Sequence, residues 1–72
     1  MGRLSNLSRK DIVQKLERLG FMLSGHGANH DTYWLPGTDR VASLPRHTKI
    51  KEGTLQGMLR QAGIPIQDFL NA

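Results

Sequence analysis

Residues 8–24, with the sequence SRKDIVQKLERLGFMLS, decide the fold, because they combine a helix that has clear start and stop signals with the beginning of a strand. Ser8 and Asp11 have the spacing of an N-terminal capping box. Gly20 supplies the left-handed position that ends a helix, so residues 21–24 are predicted to form a strand. Between these signals, one apolar stripe at helical spacing is formed by Ile12, Val13, Leu16 and Leu19.

Two further strands are predicted downstream, separated by turn residues. Residues 25–29 (GHGAN) are glycine-rich and are predicted to form a loop. Residues 30–35 (HDTYWL) are rich in aromatic and β-branched residues, which favours a strand. After a Pro-Gly turn at residues 36–39, residues 40–44 (RVASL) return as the third strand. Proline cannot continue a central ladder, so this strand is predicted to end before Pro45.

The last third of the chain predicts two helices. A second apolar stripe at helical spacing consists of Leu55, Met58, Leu59 and Ala62. Gly63 ends this helix, and Pro65 precedes a short last one. A glycine inside a helix costs about 1 kcal/mol relative to alanine, so Gly57 is expected to allow tight packing against a neighbour. The predicted fold is α+β in the order α-β-β-β-α. A three-stranded antiparallel sheet carries the helices on one face, as in double-stranded-RNA-binding domains.

Length and composition narrow the classes of protein. The 72 residues are enough for one small domain. Without cysteine there is no disulfide scaffold, thiolate zinc site or cysteine nucleophile. The formal net charge of +4 favours a polyanionic partner such as nucleic acid. No stretch approaches the roughly 18 apolar residues of a membrane span, and none resembles a signal peptide, so we expect a cytoplasmic protein with no membrane partner.

Three histidines are the main candidates for chemistry. His26 and His30 are four residues apart, but they flank a predicted loop and no third ligand is fixed nearby, so we expect no metal site and no cofactor. His30 opens a strand and is either an ordinary surface histidine or a general acid or base. RNA cleavage without a metal needs two such groups, and the second could be His26, His47 or Lys49.

A basic segment and an aromatic pair could contact RNA. The segment at residues 40–51 contains no acidic residue and is either a solvated connector or a phosphate-binding edge. Its candidate contacts are Arg40, Arg46, His47, Lys49 and Lys51. Strand alternation puts Tyr33 and Trp34 on opposite faces of the sheet, so one of them belongs to the core and the other could stack on a base.

Five short pieces of sequence occur in a recognisable order. They are residues 8–12 (SRKDI), 19–21 (LGF), 30–33 (HDTY), 44–47 (LPRH), and 53–55 (GTL) leading to 59–63 (LRQAG). Together they resemble the HicA family of small toxin ribonucleases, with intact spacing from about residue 7 to residue 70. The resemblance implies the α-β-β-β-α fold, and it leads us to expect that residues 1–72 are a single HicA-like toxin domain.

The resemblance also implies an activity and a partner. It implies the toxin of a toxin–antitoxin system, a histidine-dependent and metal-independent endoribonuclease that cleaves mRNA and inhibits translation. His30 matches the family's essential histidine, with Asn29 and Tyr33 as possible supporting residues. This chain has Ala28-Asn29 where Gly-Ser is common in the family, and Asn29 keeps a hydrogen-bonding side chain and tolerates turn geometry.

A HicB-type antitoxin is the implied partner, and we expect it to cover His30. We expect no direct DNA binding by this chain alone, because no recognition-helix charge pattern is present. The alternative to an enzyme is a non-catalytic RNA-binding module of the same fold.

Overall fold

The computed structural model describes residue 4, residues 7–47 and residues 49–72. In chain order the elements are α1 (Arg9–Arg18), β1 (Met22–His26), β2 (His30–Trp34), β3 (Val41–Pro45), α2 (Glu52–Ala62) and α3 (Ile66–Leu70). The strands form one antiparallel sheet in the order β1-β2-β3. The predicted α+β fold is therefore confirmed. No helix of the described ranges is long and apolar enough to cross a membrane.

The sequence signals correctly predict both ends of α1 and the C-terminal end of α2. The Ser8 side chain caps α1 by accepting a hydrogen bond from the Asp11 backbone N–H at 3.2 Å. Gly20 follows this helix with a φ of 97°, and Gly63 ends α2 with a φ of 71°. Local capping chemistry thus sets both ends of α1 and the C-terminal end of α2, whose first turn has no side-chain cap.

The first strand is longer than predicted. It runs from Met22 to His26, so Gly25 and His26 lie on β1 and not in the predicted loop. They pair with Thr32 and Asp31 of β2, across an irregularity in register between Leu23 and Gly25. A bulge of this kind accommodates a glycine-rich stretch inside a ladder, so pairing with β2 overrides the weak strand propensity of glycine. At the other edge, β3 extends by one residue to include Pro45.

The helices cover one face of the sheet and leave the other face exposed. Tyr33 is buried on the face that packs against the helices, whereas Trp34 is 39% exposed on the opposite face. Beside Trp34 in register lies Met22, which is 58% exposed. The core under the helices includes Ile12, Leu16, Ala42, Leu44, Leu55, Leu59 and Phe69. Of the aromatic pair, Tyr33 is thus the core residue and Trp34 the one available for contact.

Gly57 is not packed as predicted. It is exposed on α2, and a Cβ atom built at this position would meet no atom within 4 Å. The neighbouring buried residues of α2 are Leu55, Met58, Leu59 and Ala62, which point to the sheet. The expectation of a tight contact was wrong because Gly57 lies on the solvent side of the helix, where a side chain has free space.

We expect Gly57→Ala to stabilise the protein. Alanine restricts the unfolded chain and favours the helix, so the free energy of unfolding should rise by about 0.5–1 kcal/mol. Thermal unfolding followed by circular dichroism measures this as a higher Tm. As the matched control, Gly63→Ala places a side chain at a positive φ and should lower the Tm. An unchanged or lower Tm for Gly57→Ala would contradict the open space seen at this position.

Candidate active site

One end of the sheet holds a carboxylate bound by three side chains. Asp31 lies on β2 and faces the helices, with only 7% of its surface exposed. Its Oδ1 accepts hydrogen bonds from Arg46, at 3.0 Å from Nε and 2.8 Å from Nη2, and contacts Nδ1 of His26 at 2.9 Å. Its Oδ2 accepts a hydrogen bond from Nη2 of Arg9. These four residues are called the Asp31 cluster below.

The cluster keeps its carboxylate ionised. Hydrogen bonds from Arg46 and then from His26 lower the pKa of Asp31 to about 2, against the opposing effect of burial. Arg9 stands in the first turn of α1, where the helix dipole disfavours a cation. Its place is explained by Asp31 and by the backbone carbonyl of Pro45, which accepts a hydrogen bond from Arg9 Nε at 3.2 Å. The cluster therefore ties α1 to the end of the sheet.

Sequence reasoning missed the role of Asp31, although a signal was present. On strand β2, alternation places Asp31 on the same face as Tyr33. If Tyr33 belongs to the core, Asp31 is directed inward, and a buried carboxylate requires cationic partners. The sequence does not indicate that Arg9 and Arg46 are those partners, because they lie 22 and 15 residues away along the chain.

His30 lies at the same end of the sheet but on the uncovered face. It is the first residue of β2 and is exposed. The backbone N–H of Gly27 donates to the His30 carbonyl at 2.7 Å, which closes the 27–29 loop. A Cβ atom at Gly27 would lie 3.2 Å from Cε1 and 3.3 Å from Nε2 of the His30 ring. A side chain at position 27 would crowd the ring, so the His30 imidazole lies close against Gly27, which has no Cβ atom.

A cleft lined by basic residues begins next to His30. Pro45 is the cross-strand partner of His30, so their Cα atoms are about 5 Å apart. From Pro45 the cleft, of about 520 Å³, continues to the start of α2. Its lining consists of Pro45, His47, Lys49, Ile50, Lys51 and Thr54. This surface, called the basic cleft below, unites three of the predicted RNA contacts: His47, Lys49 and Lys51.

The other predicted site residues lie elsewhere. Arg46 belongs to the Asp31 cluster, and its backbone N–H donates to the Asn29 carbonyl at 3.3 Å, which ties the loop to β3. The Arg40 side chain lies against Gly63, at the end of α2 that is about 16 Å from the basic cleft. Tyr33 is in the core, where burial raises the pKa of its hydroxyl. Arg40 and Tyr33 are thus not brought together with His30.

Comparison with known proteins gives one family. A family model described as "HicA toxin of bacterial toxin-antitoxin" matches residues 9–64, which is more than half of the chain. The matched span begins at the first residue of α1 and includes the whole sheet, the Asp31 cluster and the basic cleft. The comparison with curated proteins found no match.

We expect the Asp31 cluster to make folding stability depend on acid pH. A carboxyl with a pKa of about 2 in the folded state and an ordinary pKa near 3.9 in the unfolded state stabilises the fold above about pH 4. That contribution is lost as the pH falls towards about 2. Asp31→Asn removes this contribution. At neutral pH, its midpoint of urea unfolding should therefore be lower than that of wild type. Between about pH 4 and about pH 2, the midpoint of the variant should fall less steeply than that of wild type.

The control is Asp68→Asn, which changes an exposed carboxyl of α3 and should keep the wild-type pH dependence. Parallel curves for wild type and Asp31→Asn would show that Asp31 has the same pKa in the folded and unfolded states.

Proposed function

The chain belongs to the HicA toxin family of bacterial toxin–antitoxin systems, and we propose that it is an endoribonuclease that uses His30 to cleave mRNA without a metal ion. Such cleavage inhibits translation, and it places the protein in the cytoplasm, where mRNA is found. Two findings support this function: the family membership and the position of the His30 side chain.

The observation that carries the proposal is the setting of His30. Its imidazole is exposed and lies close against Gly27. The basic cleft starts at Pro45, the cross-strand partner of His30, so the cleft and the imidazole lie on neighbouring positions of the sheet. An ordinary surface histidine needs no adjacent cationic surface. An accessible imidazole beside such a surface is what proton transfer at a bound phosphate requires.

The proposed reaction is an internal transesterification. A base removes the proton of a ribose 2′-hydroxyl, and the 2′-oxygen forms a bond to the adjacent phosphorus. The bond from phosphorus to the 5′-oxygen breaks, and an acid protonates that oxygen as it leaves. The products are a 2′,3′-cyclic phosphate and a 5′-hydroxyl. Imidazole can perform either proton transfer near neutral pH, so His30 is suited to act as the base or as the acid.

The protein offers RNA two surfaces, one basic and one apolar. Lys49 and Lys51 of the basic cleft supply charge for the phosphates. On the open face of the sheet, Trp34 shares the side of His30 and is four residues along β2, about 13 Å away. Its exposed indole can stack on an unpaired base. The non-catalytic alternative, an RNA-binding module, would use the same two surfaces but would leave the RNA intact.

The HicB-type antitoxin of this family would inhibit the proposed activity most directly by covering His30 and the basic cleft. An antitoxin with an acidic surface would be drawn there by the same electrostatic field that attracts RNA. Inhibition in this mode requires that RNA and antitoxin exclude each other.

We expect His30→Ala to abolish RNA cleavage while the fold stays intact. An exposed side chain contributes little packing, so the free energy of unfolding should change by no more than about 0.5 kcal/mol. The measurement is cleavage of a labelled single-stranded RNA in buffer containing EDTA, with product ends identified by mass spectrometry. The control Gln67→Ala changes an exposed residue of α3 and should cleave like wild type.

Full cleavage by folded His30→Ala would show that His30 takes no part in the reaction. Binding without cleavage by the wild type would favour the RNA-binding module, and cleavage lost to EDTA and restored by magnesium would contradict the metal-free reaction.

We expect the double variant Lys49→Gln and Lys51→Gln to bind RNA more weakly and with less salt dependence. Each lost phosphate contact lowers the slope of log affinity against log salt by about 0.7 for single strands, so the slope should fall by about 1.4. Titration of a 2′-deoxy-substituted, uncleavable RNA at several salt concentrations measures this. Arg18→Gln with Arg60→Gln is the charge-matched control, since both residues are exposed in the last turns of α1 and α2. Equal slopes for the two double variants would show that RNA binds outside the basic cleft.

Antitoxin should displace RNA in the same titration. Adding the HicB-type partner to the complex of toxin and uncleavable RNA should lower the apparent RNA affinity in proportion to antitoxin concentration. A ternary complex at undiminished RNA affinity would mean that the antitoxin binds another surface.

A further inference from the structure

We infer that Arg46 is a positioning residue for His30, because it binds the chain neighbour on each side of that histidine. This inference rests on the proposed ribonuclease function and goes beyond it by giving Arg46 a role other than the RNA contact that its charge predicts. In this role Arg46 does not touch the imidazole. It acts on the backbone from which the imidazole extends.

The first contact is a backbone hydrogen bond. The Arg46 N–H donates to the carbonyl of Asn29 at 3.3 Å. His30 lies opposite Pro45 in the register of β2 and β3, so this bond continues the ladder by one residue beyond that pair. The Asn29 carbonyl belongs to the planar peptide unit that ends at the His30 nitrogen, so the bond restricts the backbone where His30 begins. Because the bond is slightly longer than the ordinary range of about 2.7–3.2 Å, its persistence depends on how firmly Arg46 is held.

The second contact is made by the Arg46 side chain. Its Nε and Nη2 atoms donate to Oδ1 of Asp31 at 3.0 and 2.8 Å, and Asp31 directly follows His30 in the chain. Hydrogen bonds between a guanidinium and a carboxylate are roughly twice as strong as those between neutral groups. Asp31 is buried and is also bound by Arg9, which makes its carboxylate a firm attachment point. The guanidinium thus anchors the residue whose N–H holds Asn29.

The contacts of Arg46 lie on both sides of His30. Residue 29 is bound through its carbonyl and residue 31 through its side chain, while the His30 carbonyl accepts a hydrogen bond from the Gly27 N–H at 2.7 Å. The His30 and Asp31 side chains point to opposite faces of β2, so this restraint leaves the imidazole exposed to substrate. A misplacement of about 1 Å by a change away from the reacting atoms can slow catalysis about 100-fold, so the restraint matters for proton transfer.

Arg46 differs in this respect from the lysines of the basic segment. Lys49 and Lys51 line the basic cleft, whereas the charge of Arg46 is paired with Asp31. Removing the Arg46 guanidinium should therefore slow the chemical step and leave the affinity for RNA nearly unchanged. Removing the charge of Lys49 should instead weaken RNA binding.

The test measures the cleavage rate and the RNA affinity separately. Arg46→Gln removes the guanidinium but keeps the backbone N–H, and Asp31→Asn weakens the anchor but keeps the charge of Arg46. Single-turnover cleavage at saturating RNA gives the rate, and titration of the uncleavable RNA gives the affinity. The control for lost stability is Gly63→Ala, which should lower the Tm at the C-terminal end of α2 without touching either neighbour of His30.

We expect both Arg46→Gln and Asp31→Asn to cleave saturating RNA about 10- to 100-fold more slowly than wild type, at a temperature where all variants are folded. The affinity of Arg46→Gln for uncleavable RNA should stay within about threefold of wild type, since no phosphate contact is lost. The double variant should be no slower than the slower single variant, because both changes break the same link. Gly63→Ala should cleave at the wild-type rate.

Amide hydrogen exchange gives a second readout that does not depend on cleavage. The protection of the residue 46 N–H, which is bonded to the Asn29 carbonyl, should fall more in Arg46→Gln and Asp31→Asn than in Gly63→Ala. Equal protection of this N–H in the three variants would contradict the link between the Arg46 side chain and the backbone beside His30.

Cleavage of saturating RNA within about threefold of the wild-type rate by either folded variant, Arg46→Gln or Asp31→Asn, would overturn the positioning role. Weaker RNA binding by Arg46→Gln with an unchanged cleavage rate would also overturn it and would assign Arg46 to RNA contact. Either result leaves the proposed function standing if wild type cleaves and His30→Ala does not. Absence of cleavage by wild type would instead remove the proposed function itself.

Discussion

The buried carboxylate of Asp31 is the constraint on which this end of the molecule depends. A carboxylate in such a place is unfavourable unless several donors surround it, and here they come from three different parts of the chain. Arg9 brings the start of α1, His26 brings the end of β1, and Arg46 brings the segment that leaves β3. All three donors share the two oxygen atoms of one carboxylate. The cluster therefore behaves as a single structural unit.

The two faces of the sheet carry different kinds of residues. Its covered face carries Tyr33, Ala42 and Leu44 into the core, which gives the strands a rigid base. Its uncovered face and its 27–29 end carry the exposed groups, including His30 and Trp34. Because adjacent residues of a strand point to opposite faces, His30 and Asp31 serve the two sides although they are neighbours in sequence. One strand thus anchors the fold and presents the candidate imidazole.

Local signals in the sequence predict most of the fold, and the reasons for the exceptions are physical. Ser8, Gly20 and Gly63 determine the helix ends through short-range hydrogen bonds and backbone conformation, so the sequence alone suffices there. The extension of β1 to His26 depends on pairing with β2, which a strand-by-strand pattern does not contain. The surroundings of Gly57 depend on which side of α2 faces solvent at a position between two core residues.

The candidate site is less predictable than the fold for the same reason. Family resemblance predicts a role for His30, and charge predicts one for the basic segment, but neither gives the partners of a side chain. Arg40 and Arg46 look equivalent in sequence, yet they flank opposite ends of β3, about 20 Å apart. The pairing of His26 with Asp31 follows from the register of two strands and the bulge between them. Those features emerge only when the whole sheet is assembled.

The wide spacing of the cluster along the chain has a consequence for biosynthesis. Arg9 and the Pro45 carbonyl that it contacts are 36 residues apart, and the cluster closes only when Arg46 joins it. A growing polypeptide that has not yet emerged from the ribosome beyond this arginine lacks one of the donors that bind Asp31. Non-local contacts of this kind form late, together with the core. During synthesis, α1 and the first two strands therefore lack this anchor until the segment that follows β3 is available.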